Sequence, residues 1–185
     1  VALLRGINVG GKNKVDMATL RAVFEAMGLT DVATYLNTGN VVFAGPADVA
    51  TLERGIAAAV GFAVPVLLRT ADELAAIVDA IPSAWVAEGQ RCEVLFLGPD
   101  VDRGPAVLDD VPRHPEVDDL AYVPGAVLWH LERARASRSR VSTIVGTALY
   151  ARMSMRSAGT VRKLLELATG GGDRGSSRPH PGAGR

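Results

Sequence analysis

The chain has 185 residues, 48% hydrophobic and 22% charged, a globular balance long enough for one sizeable core or two small coupled ones. Lys plus Arg and Asp plus Glu each total 20, so net charge argues neither for nor against a polyanionic partner. A single cysteine, Cys92, excludes an intramolecular disulfide framework and a cysteine-based structural zinc site. No apolar run approaches the roughly 20 residues needed to cross a bilayer and no secretory signal is visible, so a soluble, cytoplasmic protein without a membrane partner is expected.

Val1 to Leu4 is a short continuous apolar run and reads as a buried strand. It leads into Arg5-Gly6-Ile7-Asn8-Val9-Gly10-Gly11-Lys12-Asn13-Lys14, a glycine-rich, basic loop without acids. Glycine reaches backbone conformations closed to other residues, so successive N–H groups can turn inward around an anion, with Arg5, Lys12 and Lys14 supplying charge. Asp16 then caps a helix whose Met17, Leu20, Val23, Phe24 and Met27 recur at helical spacing, with Gly28 as its stop. Val32 to Leu36 and Val41 to Ala44 read as strands around Asn37-Thr38-Gly39-Asn40, a hairpin signal. A second helix from about Asp48 to Val60 and a strand from Val64 to Leu68 complete a β-α-β-β-α-β order, the split arrangement of ferredoxin-like domains.

Thr70-Ala71-Asp72-Glu73 is a capping box that launches a helix ended by Pro82. Glu93 to Leu97 reads as a strand, Val101 to Leu108 as a weak helix, and Leu120 to Val123 with Val127 to Leu131 as strands flanking the turn pair Pro124-Gly125. A helix from Ser137 to Val145, a strand from Ala151 to Met155 and a final helix from Gly159 to Ala168 follow. The expectation is therefore an α+β chain: a first plait over 1–69, a helical connector over 70–90, and a second plait with its final helix over 91–169. The glycine-rich segment 170–185 cannot bury enough apolar surface to order itself and reads as a disordered tail.

Three islands stand out: Ala2 to Lys12; Tyr35-Leu36-Asn37-Thr38-Gly39-Asn40-Val41-Val42-Phe43; and Arg156 through Thr160-Val161 to Lys163-Leu164. Together they resemble the bacterial family named domain of unknown function 1697, over nearly the whole chain to about Thr169. The third island departs from the family pattern, carrying Ser157-Ala158-Gly159 where members commonly have Asn-Trp-Asn. The resemblance implies a duplicated ferredoxin-like fold, with exchange of the first strands between halves as a variant, and it implies no activity.

The opening loop matches G-x-x-x-x-G-K at Gly6, Gly11 and Lys12, but Asn13 stands where Mg²⁺ ligation needs a hydroxyl, and the helix starts late. Either the loop is a generic anion cradle, or its glycines only make a tight connection. Asn37, Thr38 and Asn40 are explained by turn chemistry, or they present polar groups beside Arg5 and Asn8 if the turn and the loop share one end of the sheet. Arg156, Thr160 and Lys163 sit at helical spacing where Ser157 can cap a helix: either its free N–H groups welcome an anion, or Ser157 is a plain cap and the cations are solvated. The resemblance implies that this helix start and the opening loop converge, giving a composite candidate site of Arg5, Asn8, Gly10, Gly11, Lys12, Asn37, Thr38, Asn40, Arg156, Thr160 and Lys163.

Catalytic machinery is thin: His114 adjoins Pro115, His130 and Glu132 lie two apart on one strand, and no HExxH or G-x-S-x-G occurs, so no metal and no cofactor is called for. Three readings remain. The first is a binding protein for a small phosphate- or carboxylate-bearing ligand, held by Arg5, Lys12, Arg156 and Lys163. The second is a nucleic-acid-binding plait that contacts the phosphate backbone, motivated by the arginines from Arg133 to Arg162 and weakened by 5% aromatics. The third is a transferase-like enzyme run by Arg, Lys, Thr and main-chain amides without Cys or His chemistry.

Overall fold

In the computed structural model, which describes residues 1–11 and 13–170, alternation of side chains along two short central strands sets the order of the layers. Along β1 (Ala2–Leu4), Ala2 and Leu4 face one core, with Leu20 and Phe24 of α1 (Met17–Ala26) and Leu52 and Ile56 of α2 (Val49–Val60). Leu3 faces the other way, into a core shared with α3 (Ala71–Asp79), α4 (Ala158–Thr169) and the strand β5 (Gln90–Leu97). Along β5, Cys92, Val94 and Phe96 meet that shared core, while Leu95 and Leu97 face a third one closed by Val107, Val141 and Ile144. Strands buried on both faces read as continuous apolar runs, as Val1 to Leu4 and Val94 to Leu97 do.

The result is a mixed α+β fold of two four-stranded antiparallel sheets with helices against them. The first sheet adds β2 (Thr30–Tyr35), β3 (Asn40–Ala44) and β4 (Val66–Leu68) to β1, in the order β2-β3-β1-β4. The second joins β5 to β6 (Asp119–Val123), β7 (Ala126–Glu132) and β8 (Met153–Ser157), in the order β6-β7-β5-β8. Each sheet draws its strands from its own half, so the exchange of first strands does not occur. β1 is bracketed by β3 and β4, and β5 by β7 and β8.

Helix starts follow the expected chemistry. Asp16 and Asp48 accept from Thr19 N (3.0 Å) and Thr51 N (2.9 Å), and Thr70 with Glu73 forms a reciprocal capping box. Each such cap is worth about 1 kcal/mol. Three boundaries in the second half differ from the sequence expectation. The helix expected over Val101 to Leu108 is a 3₁₀ segment at Gly104–Asp110, because Gly104 sits at φ +66 and Pro105 follows it. The helix over Ser137 to Val145 is two 3₁₀ pieces, Arg133–Arg138 and Val141–Ile144, split at Ser139, which is extended. The last strand begins at Met153 because Tyr150–Arg152 is a further 3₁₀ turn. Two of the arginines between Arg133 and Arg162 are paired with acids from earlier in the second half, through Arg138–Glu116 (3.3 Å) and Arg152–Asp100 (2.5 Å). The expected disordered tail lies outside the described residues, apart from Gly170, which ends α4.

Candidate functional site

β1 and β2 are both antiparallel to β3 and hence parallel to each other, so the opening loop and the β2–β3 turn emerge at one end of the first sheet. Asn8 binds them together. Its side chain accepts from Val15 N (2.9 Å) and donates to Val15 O (2.9 Å) and Asn37 O (2.8 Å), from a backbone at φ 54. Asn13 returns to Gly6 O (3.0 Å), closing the loop on itself. Gly39 is required here for two reasons: its φ is +82, and a Cβ on it would lie 2.8 Å from Leu4 Cβ. Gly10 and Gly11 are exposed with open space around them, and Lys12 lies outside the described residues. The antiparallel sheet and the start of α1 at Met17 exclude a P-loop arrangement.

Arg156 crosses from β8 into this end of the first sheet. Its Nε donates to Asn40 Oδ1 (2.5 Å), one terminal nitrogen to Ser154 Oγ (3.0 Å) and Met155 O (2.8 Å), and the other to Leu4 O (2.9 Å) and Thr38 O (3.1 Å). Asn40 is therefore no solvated turn residue. It is fully buried as the first residue of β3, with its amide on Tyr35 O (2.9 Å) and Thr38 Oγ1 (3.1 Å). Burial lowers the Arg156 pKa to about 10, and repulsion from Arg5 adds to the effect. Arg5 donates to the carbonyls of Tyr150 (2.7 Å) and Ala151 and stacks over the Tyr150 ring. Its pKa is lowered chiefly by desolvation, and Arg152 pushes it down further.

The structure brings Arg5, Asn8, Asn37, Thr38, Asn40 and Arg156 together around one junction. Thr160 instead belongs to the cap of α4, its N and Oγ1 at 3.2 and 3.0 Å from Ser157 Oγ, and Lys163 pairs with Glu166 (2.7 Å). His130 does not work with Glu132: the carboxylate is exposed, and the ring lies between Asp119 Oδ2 (2.9 Å) and Gln90 Oε1 (2.8 Å), stacked on Trp85. Cys92 is a buried core thiol. Both sheets carry apolar cores on both faces, which removes the open aromatic platform that plait proteins use to stack bases. Among the described residues no cluster of three His, Cys, Asp or Glu side chains forms, and no helix is long and apolar enough to cross a membrane.

A concave feature of the molecule lies beside this junction. A groove of about 850 Å³ runs between the β4 edge of the first sheet and the tips of the second, Leu97 to Asp100, Pro124-Gly125 and Ala151-Arg152. Two arginines clasp its walls. Arg5 does so at the Val66 end, and Arg69 at the other, donating to Leu97 O (2.6 Å) and Gly125 O (2.8 Å) while its buried Nε has no partner. Asp102 stands beside Arg69, accepting from Gly125 N (2.9 Å) and the Tyr122 hydroxyl (2.9 Å). Sequence reasoning missed Arg69, Asp102 and Arg152. The one available signal was an arginine placed directly after a buried strand and before a capping box.

A duplicated strand order with a polar-rimmed groove between the sheets defines an α+β protein with a ligand-sized cleft. Residues 1–129 match the family described as "Protein of unknown function (DUF1697)", and the chain belongs to that family. The first two islands lie within the match; the third lies beyond it. Among solved structures, the conserved bacterial protein SP0830 from Streptococcus pneumoniae is similar, with 26% identity and a TM-score of 0.72 over 90% of this chain and 96% of its own. No curated protein matches the chain.

Proposed function

We propose that this protein binds a small ligand bearing a phosphate or carboxylate group, with the anion seated at the Arg5 end of the groove. One observation carries the reading: Arg5 and Arg156 meet only neutral oxygen acceptors, while Arg5 feels the charges of both Arg152 and Arg156. Among the described residues, the carboxylate bonded to this trio is Asp100, on Arg152. An anion beside Arg5 would offset that repulsion and gain charge-assisted hydrogen bonds. A volume of about 850 Å³ falls in the range of small-molecule sites, and a position between two structural halves is where such sites form. The equal strand order of the two sheets supports reading each half as a ferredoxin-like unit, with the groove at their junction.

Thermal melting against phosphate, succinate, nucleotides, sugar phosphates and short oligonucleotides tests this. A ligand at about 100 times its dissociation constant stabilises the fold by roughly 2.7 kcal/mol, a shift of several degrees for a chain this long. The expected result is a shift with a small anion that disappears in Arg5→Ala. Equal shifts in both proteins, or shifts with oligonucleotides alone, would overturn the assignment.

A further inference from the structure

We propose that the ligand of the groove is a short extended peptide with a free C-terminal carboxylate, added to β4 as a fifth, antiparallel strand. The proposal rests on the anion-binding reading and names its ligand class. The register of β4 carries it. Arg69 N donates to Val1 O (2.9 Å), Leu67 lies opposite Leu3, and Arg5 N donates to Pro65 O (3.0 Å), so Pro65, Leu67 and Arg69 turn their main-chain groups toward β1. Val66 and Leu68 turn theirs outward, over the edge of the sheet and into the groove.

Two of these four outward groups are occupied by side chains. Glu53 Oε1 accepts from Val66 N (2.9 Å), and Arg69 donates to Leu68 O (2.7 Å). The Val66 carbonyl and the Leu68 N–H stay unpaired, and they flank Leu67 as the inner acceptor and donor of an antiparallel pairing. A tripeptide matches them: its last N–H donates to Val66 O, and its first carbonyl accepts from Leu68 N. Its C-terminal carboxylate then reaches the end where Arg5 and Arg152 stand with Glu53, and its ammonium the end where Asp102 and Glu73 stand with Arg69. Pro65, Leu97, Pro99 and Pro124 supply apolar walls that carry few competing main-chain donors.

Trialanine is the probe, titrated into the full chain by calorimetry, with succinate and inorganic phosphate alongside. Its C-terminal amide removes the carboxylate, and methylation of its last peptide nitrogen removes the donor to Val66. Trialanine should bind, both modified forms should bind about tenfold more weakly, and the Leu68 amide resonance should shift on binding. Binding of succinate or phosphate without trialanine would overturn the peptide assignment and leave the anion reading standing. Equal binding of trialanine and its N-methyl form would overturn the strand pairing. Silence from all three probes would overturn both readings.

Discussion

The junction around Arg156 and the groove beside β4 are built from the same materials: arginine, main-chain oxygen and the ends of both sheets. They differ in what is left unpaired. At the junction, Arg156 spends its guanidinium on six oxygens, Gly39 O (3.4 Å) being the sixth, and Asn8 and Asn40 close the loop and the turn around it. In the groove, the outward edge of β4 keeps a carbonyl and an N–H without partners, and Arg69 keeps a buried Nε. Saturated polar groups fix a structure, whereas a partly saturated edge has bonding capacity to give to a ligand. The motif-rich end of this chain is accordingly its fastening, and the β4 edge proposed to receive a ligand carries no motif.

The largest effect should come from breaking the fastening. Arg156→Met keeps much of the aliphatic length but strands Asn40 Oδ1 and the carbonyls of Leu4 and Thr38, so a loss of about 3 kcal/mol is expected. Urea unfolding with an unchanged slope checks it. A loss under about 1 kcal/mol would mean that water replaces the guanidinium and that the junction is no fastening.

That distinction could not be read from the sequence. Local rules sufficed for the caps at Asp16, Asp48 and Thr70 and for the strand order of the first half, because propensity, capping and alternation agree there. They failed over 104–110 and 133–144, on either side of the correctly expected β6 and β7, where glycine and proline in the first stretch and serine and threonine in the second compete for main-chain groups and leave 3₁₀ turns. Family resemblance, and no local rule, placed Arg156 in one set with Arg5, Asn8, Asn37, Thr38 and Asn40. Arg156 lies 116 residues beyond Asn40, and nothing in the spacing says whether its five donors are spent internally. Groove residues such as Arg69 and Asp102 have no shared local signature, since the register of β4 and the closure of the second sheet bring them together.

Cys92 offers a smaller test of the same contrast, because it lies in the core shared by both sheets and not at the groove. Burial first, and Glu93 second, push its thiol from about 9 up to about 11. The unfolded chain therefore gives up this proton before the native one does. The thiol's contribution is complete below about pH 9 and is lost as pH rises toward 11, about 1 kcal/mol by pH 10. Urea midpoints at pH 8 and pH 10 should show this extra loss relative to Cys92→Ala. Parallel pH dependence in the two proteins would mean that the shared core admits water.

The smallest effect belongs to Glu53, and it separates a protected edge from a binding edge. Its carboxylate reaches from α2 to Val66 N, so Glu53→Ala removes one bond to an N–H that can turn to water in the groove, costing about 0.5–1 kcal/mol. It also leaves β4 with one more outward donor and takes a negative charge from the end where the peptide carboxylate is placed. If Glu53 serves only to blunt a short edge, its loss should drive self-association, visible as concentration-dependent sedimentation. If the edge receives a peptide, the variant stays monodisperse with the wild type and trialanine binds at least as tightly, since its carboxylate can take up the Val66 N–H that Glu53 held. The second outcome is the expected one, and weaker trialanine binding in the variant would count directly against a strand laid along β4.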